Sequence, residues 1–191
     1  LKNEPVAAAG IAAAGAAAPE PVLPLKRGQT IVAFGYPANH SNSYLSNYHP
    51  GAPDVRYSKK PLPTAVTALS AAGFNVTYEP GCSINLHGRA PDLHNLNRSA
   101  QLAKTHDVAI LFVGLDGGEE HESGDRNYTG AGLGLPGDQA LLIEMVTEAN
   151  PRTVVVLIHG GSVAIPYAKA HTPAIIDAHY PGDMGGQGIA D

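Results

Sequence analysis

The chain has 191 residues, 43% of them apolar and only 15% charged, with a formal net charge of −5 at pH 7. That length suffices for one core of ordinary size, and the composition excludes wholesale disorder. The acidic balance gives no electrostatic case for nucleic acid or an anionic membrane, and no apolar run is long enough to span a bilayer.

Residues 6–18, VAAAGIAAAGAAA, are low in complexity and bracketed by Pro5, Pro19, Pro21 and Pro24, which predicts a linker with an Ala-rich insert over residues 1–24. From residue 25 the pattern becomes regular and predicts one domain running to residue 191. TIVAFG (30–35) reads as a buried strand and the turn-rich stretch 36–60 as a long loop. Residues 61–73 predict a helix with Ala65, Leu69 and Ala72 at helical spacing and Gly73 as its stop. Residues 74–80 alternate as a short strand, 95–106 form a second helix, and DVAILFV (107–113) is the next strand. A third helix is expected over 137–150 and a fully buried strand, TVVVLI, over 153–158. A shorter helix over 162–170, capped by Ser162 and broken near Pro166, precedes a last strand at 174–180. GGQGIAD at the end opens another helix. Strands alternating with helices, and apolar runs that are continuous, imply an α/β three-layer sandwich. Its sheet is mostly parallel with helices on both faces, a flavodoxin-like arrangement.

The stretch 114–139, GLDGGEEHESGDRNYTGAGLGLPGDQ, is where the ionisable groups collect. Five carboxylates (Asp116, Glu119, Glu120, Glu122 and Asp125) with His121 and Arg126 fall within eleven residues, at the exit of a buried strand. Glycine-rich loops at strand exits are where α/β folds place their chemistry. Crowding of Glu119, Glu120 and Glu122 favours a retained proton, as a general acid requires, while Asp125 and Arg126 offer an ion pair to fix the loop. A solvated acidic loop remains an equal reading on charge alone. Gly132, Gly134 and Gly137 satisfy G-x-G-x-x-G, but no strand ends at the first glycine and Pro136 removes an amide donor. His159-Gly160-Gly161 echoes an esterase oxyanion loop without any G-x-S-x-G partner, so a tight strand-to-helix turn is the better reading. His121 beside Glu120 and Glu122 lacks a second pair of spaced ligands, and Cys82 is the sole cysteine, so no metal site and no internal disulfide are expected. Four sequons, at Asn39, Asn75, Asn97 and Asn127, exceed the roughly one expected by chance and point to a secreted eukaryotic glycoprotein.

Taken in order, LKNE (1–4), LPL (23–25), IVAFGYPAN (31–39) and YEPGC (78–82) are joined by DVAILFVGLD (107–116), ESGDR (122–126) and LGLPGDQ (133–139), then by VVVLIHGG (154–161) and YPGDMGGQGIAD (180–191). The series resembles the C-terminal α/β sandwich domain of glycoside hydrolase family 3, the β-glucosidases and β-xylosidases, and covers nearly the whole chain in the family's order. The resemblance implies hydrolysis of terminal β-linked sugars with retention, by two carboxyls about 5 Å apart. One is an Asp nucleophile on an N-terminal barrel. The other is an acid/base Glu lent by the sandwich domain just ahead of an Asp-Arg pair. Glu122 matches that position, with Glu120 and Glu119 as fallbacks. Asp125 and Arg126 would hold the loop, and Asp116 would support it or reach a sugar hydroxyl.

No cofactor is implied. The implied partners are an oligosaccharide or glycoside substrate and a barrel domain or chain carrying the nucleophile, without which the chain would be inactive. The GLD-to-DR spacing and the GC after the second strand lean toward the β-xylosidases. Departures from the pattern are the Ala-rich insert between LKNE and LPL, His159 where Ser is frequent, Asp183 where Glu is usual, and an apparent truncation after GIAD. The alternative reading is a non-catalytic carbohydrate-binding or structural glycoprotein module that retains the fold. A flavodoxin-like nucleotide-binding domain comes third.

Overall fold

A computed structural model describes residues 2–4, 20–45, 62–82, 90–115, 120 and 132–191. In chain order the elements are β1 (Lys2–Asn3), β2 (Thr30–Phe34), 3-10 turns at Tyr36–Asn39 and Ser41–Tyr44, α1 (Ala65–Ala71), β3 (Asn75–Glu79), α2 (Leu93–Lys104) and β4 (Val108–Gly114). They continue with α3 (Gln139–Ala149), β5 (Thr153–Ile158), α4 (Pro166–His171), β6 (Ala174–Asp177) and α5 (Gly185–Ala190). The strands form one sheet in the order β1-β6-β5-β4-β2-β3. β1 runs antiparallel to β6 and every other neighbouring pair is parallel. From β2 to β6 this is the flavodoxin order, whose switch point lies between β2 and β4.

Continuous apolar runs become strands here because both faces of the sheet are covered. Every residue of β4 and β5 is buried, as expected when helices flank a parallel sheet. Alternate side chains supply two cores. Val32, Phe34, Leu111, Val113, Val155 and Leu157 meet α2, α3 and α4 on one face. Ile31, Ala33, Ile110, Phe112, Val156 and Ile158 meet α1, α5 and the Tyr44 segment on the other. Each fully buried aliphatic of this kind contributes about 1.5–3 kcal/mol. The three-layer α/β sandwich expected from the pattern is therefore the observed fold.

Local differences from expectation have local causes. The first helix starts at Ala65, four residues late, because Pro63 restricts the residue before it and Thr64 takes the cap. The Thr64 hydroxyl accepts from the Thr67 amide at 3.2 Å, and the Thr67 hydroxyl accepts from the Thr64 amide at 2.8 Å. Its buried stripe is Ala65, Ala68 and Leu69, while Ala72 is exposed. The supposed loop after β2 contains two 3-10 turns that bury Tyr44 completely. The Tyr44 hydroxyl accepts from the Ala65 amide at 2.9 Å, satisfying one of the donors left open at the start of α1. Pro166 does not kink a helix but opens one: its missing N–H costs nothing at the first helical position. The capping position belongs to Ile165, not Ser162.

The opening residues join the sheet. Lys2 and Asn3 pair with Ile175 and Ala174, and the Asn3 side chain bonds both backbone groups of Leu23, at 2.7 and 3.1 Å. No helix among the described residues is long and apolar enough to cross a membrane.

Candidate active site

The carboxyl ends of the parallel strands carry the groups of interest. β4 ends at Gly114, where φ is +146° and a Cβ would lie 1.8 Å from the Ile158 carbonyl oxygen, so only glycine fits. The buried side chain of Gln139, at the start of α3, fastens this exit. Its Oε1 accepts from the Gly114 amide at 2.7 Å, while its Nε2 donates to the carbonyls of Gly114 and Pro136 at 2.8 and 3.0 Å. The LGLPG segment is also stitched sideways, with the Ala164 amide donating to the Leu133 carbonyl at 2.6 Å. Its glycines serve this turn into α3.

Of the acidic loop, Glu120 is described. Its carboxylate lies across the ends of β5 and β6. Oε1 accepts from the Gly160 amide at 3.0 Å and from the Gly161 amide, and Oε2 accepts from the Gly160 amide at 3.2 Å and from the Tyr180 hydroxyl. Two successive amides and a phenol thus donate to one carboxylate, and such bonds to an ionisable acceptor tie its loop to the strand exits. Gly160 permits the approach, since a Cβ there would lie 2.9 Å from Glu120 Oε2 and 2.8 Å from the Tyr180 ring. Glu119, Glu122, Asp116, Asp125, Arg126, His121 and Asn127 lie outside the described residues.

At the switch point, Gly35, Tyr36, Pro37, Phe112, Val113 and Cys82 line a small cleft that reaches Gln139. Burial, and secondarily the charge of Asp138, push the Cys82 thiol up to about 12, so it is a packed thiol and not a nucleophile. The other sequon asparagines are exposed. Asn39 accepts from the Thr64 hydroxyl at 3.2 Å, Asn75 opens β3, and Asn97 is on α2.

Sequence reasoning missed Gln139, Tyr180 and the carboxylate-gripping role of Gly160 and Gly161. The only hint of the latter was the Gly-Gly directly after a buried strand.

Comparison with known proteins agrees on one family. The profile of the Glycosyl hydrolase family 3 C-terminal domain matches residues 17–191. An exo-1,4-β-xylosidase of Emericella nidulans is 32% identical over 171 residues, covering 88% of the chain and 20% of that protein. Thermostable β-glucosidase B of Acetivibrio thermocellus is 29% identical over 173 residues, 89% of the chain and 21% of that enzyme. Among solved structures, a GH3 exo-β-xylosidase in complex with a xylobiose aziridine probe superposes with a TM-score of 0.73 at 28% identity, over 89% of this chain and 20% of that one. The chain thus spans about a fifth of the length of the relatives it matches.

Proposed function

The chain belongs to glycosyl hydrolase family 3, as its C-terminal domain, and from that premise we propose that it is the sandwich-domain part of a retaining, exo-acting β-glycosidase of β-xylosidase type. In this reading residues 25–191 are the sandwich domain and 1–24 lead into it, and an N-terminal barrel supplies the nucleophile. Glu122 protonates the leaving glycosidic oxygen and then activates water for deglycosylation. Asp125 and Arg126 hold the loop, with Asp116 in support. Secretion, with glycans on Asn39, Asn75, Asn97 and Asn127, belongs to the same proposal.

The observation that carries it is the seating of Glu120 at the carboxyl edge of the sheet. A carboxylate whose oxygens are taken up by Gly160, Gly161 and Tyr180 is suited to anchoring its loop. A proton donor instead needs an oxygen free to face the leaving group. Glu122 follows Glu120 by two residues in the sequence of that loop.

The test is Glu122→Gln in the protein that carries the barrel. Hydrolysis of an alkyl β-xyloside, whose leaving group needs the proton, should fall roughly 10²–10⁴-fold. A dinitrophenyl xyloside, which departs without one, should be cleaved with a much smaller loss in kcat/KM. Unchanged activity would transfer the role to Glu119 or Glu120. Turnover of an aryl β-xyloside by the purified 191-residue chain would sink the requirement for a barrel.

A further inference from the structure

We infer that His159, Asp177 and His179 form a binding site for one divalent transition-metal ion of the zinc class, at the carboxyl ends of β5 and β6. The inference does not depend on which glutamate of the acidic loop is the acid/base.

The three side chains arrive together through backbone pairing. Asp177 is the last residue of β6 and pairs with Leu157 of β5. The ladder then continues beyond the strands, with the Ala178 amide donating to Leu157 at 3.0 Å and the His159 amide donating to His179 at 3.3 Å. Sites carried on strand ends are held more firmly than sites on loops. His159 Nε2 lies 3.0 Å from Asp177 Oδ1, His179 Nε2 lies 3.6 Å from the same oxygen, and no two of the three donor atoms are more than 4.8 Å apart. A tetrahedral zinc ion with bonds of 2.0–2.1 Å has ligand-to-ligand edges of about 3.3 Å, so small side-chain movements close the set.

A second observation points to a cation. His159 is buried, and its Nδ1 lies 2.6 Å from the Gly161 carbonyl oxygen, which can only accept. Nδ1 therefore carries the proton in the neutral ring, and the lone pair of Nε2 is left facing the carboxylate oxygen of Asp177. Two acceptors 3.0 Å apart need a positive charge between them. A ring N–H held by a backbone carbonyl, with the other nitrogen turned toward a carboxylate, is the arrangement that orients a metal-binding histidine. Two imidazoles with one carboxylate favour Zn²⁺ or its first-row neighbours over Ca²⁺ and Mg²⁺, and leave a coordination position for water. The ion would brace the Gly160–Gly161 turn that holds Glu120.

The test is calorimetric titration of Zn²⁺ into the purified 191-residue chain, with Co²⁺ absorption reporting the ligand set. One saturable equivalent should bind, unaffected by millimolar Ca²⁺ or Mg²⁺. His179→Ala and Asp177→Asn, both at exposed side chains, should each weaken Zn²⁺ binding at least tenfold, whereas His171→Ala on α4 should leave it unchanged. Far-UV circular dichroism confirms that each variant is folded. Absence of saturable binding would overturn the inference and make His159 and Asp177 an imidazolium–carboxylate pair. Binding that survives both substitutions would equally overturn it, by placing the ion elsewhere, such as at His121 and its neighbouring glutamates.

Discussion

Gln139→Ala isolates the fastening of the β4 exit. Gln139 is 4% exposed and makes three bonds, to the amide and carbonyl of Gly114 and to the carbonyl of Pro136. An intramolecular hydrogen bond is worth about 1 kcal/mol net, and a buried group left without a partner costs about 1–3 kcal/mol. Truncation strands both backbone groups of Gly114, so the expected loss is about 3 kcal/mol. With a urea slope of roughly 2 kcal/mol/M, the unfolding midpoint of the 191-residue chain should drop by about 1.5 M. Gln139→Glu is the sharper control. It keeps the oxygen that accepts from Gly114 but sets a second oxygen against two carbonyls, so at pH 7 it should be no more stable than the Ala variant. A loss under about 0.5 kcal/mol for Ala, or a Glu variant as stable as the parent, would refute the bidentate clamp.

Tyr180→Phe keeps the ring and removes one donor from Glu120. A bond to a charged acceptor is worth about 1.5–3 kcal/mol, discounted here because the pair is half-buried, so a loss of about 1 kcal/mol in thermal melts is expected. In the barrel-containing protein it should lower kcat more than it raises KM. Cys82 gives a prediction about pH. Its folded value of about 12 lies above that of an unfolded thiol, so the stability it contributes is complete below about pH 8.5. That contribution drains away as pH rises toward 12. Iodoacetamide at pH 8.5 should alkylate the native chain at least tenfold more slowly than the urea-unfolded chain, and equal rates would contradict the burial argument.

The fold was legible because the sheet is buried on both faces. β4 and β5 announce themselves as uninterrupted apolar runs, and their alternation with amphipathic segments fixes the class before any contact is known. What stayed hidden is what depends on pairing across distance. Nothing local to Tyr44 says that its hydroxyl closes the start of a helix twenty-one residues later. Pro166 looks the same in a kink as at a helix start, until packing decides where the helix begins. Glu120 was visible as one carboxylate among five, but its partners lie forty to sixty residues downstream, on the exits of two other strands. His159, Asp177 and His179 showed no ligand spacing because the relevant spacing is across a ladder and not along the chain.

The sheet's two sides end differently. On one, β1 pairs with Ala174 and Ile175, two of the four residues of β6. On the other, β3 pairs with β2 alone among the described strands, leaving five residues of backbone open, bordered by the Glu79–Arg98 ion pair at 2.9 Å. Very short edge strands resist templating, whereas longer ones invite it. Among the described strands, an added strand would therefore find its longer run of unpaired backbone at β3, on the side of the sheet away from β6.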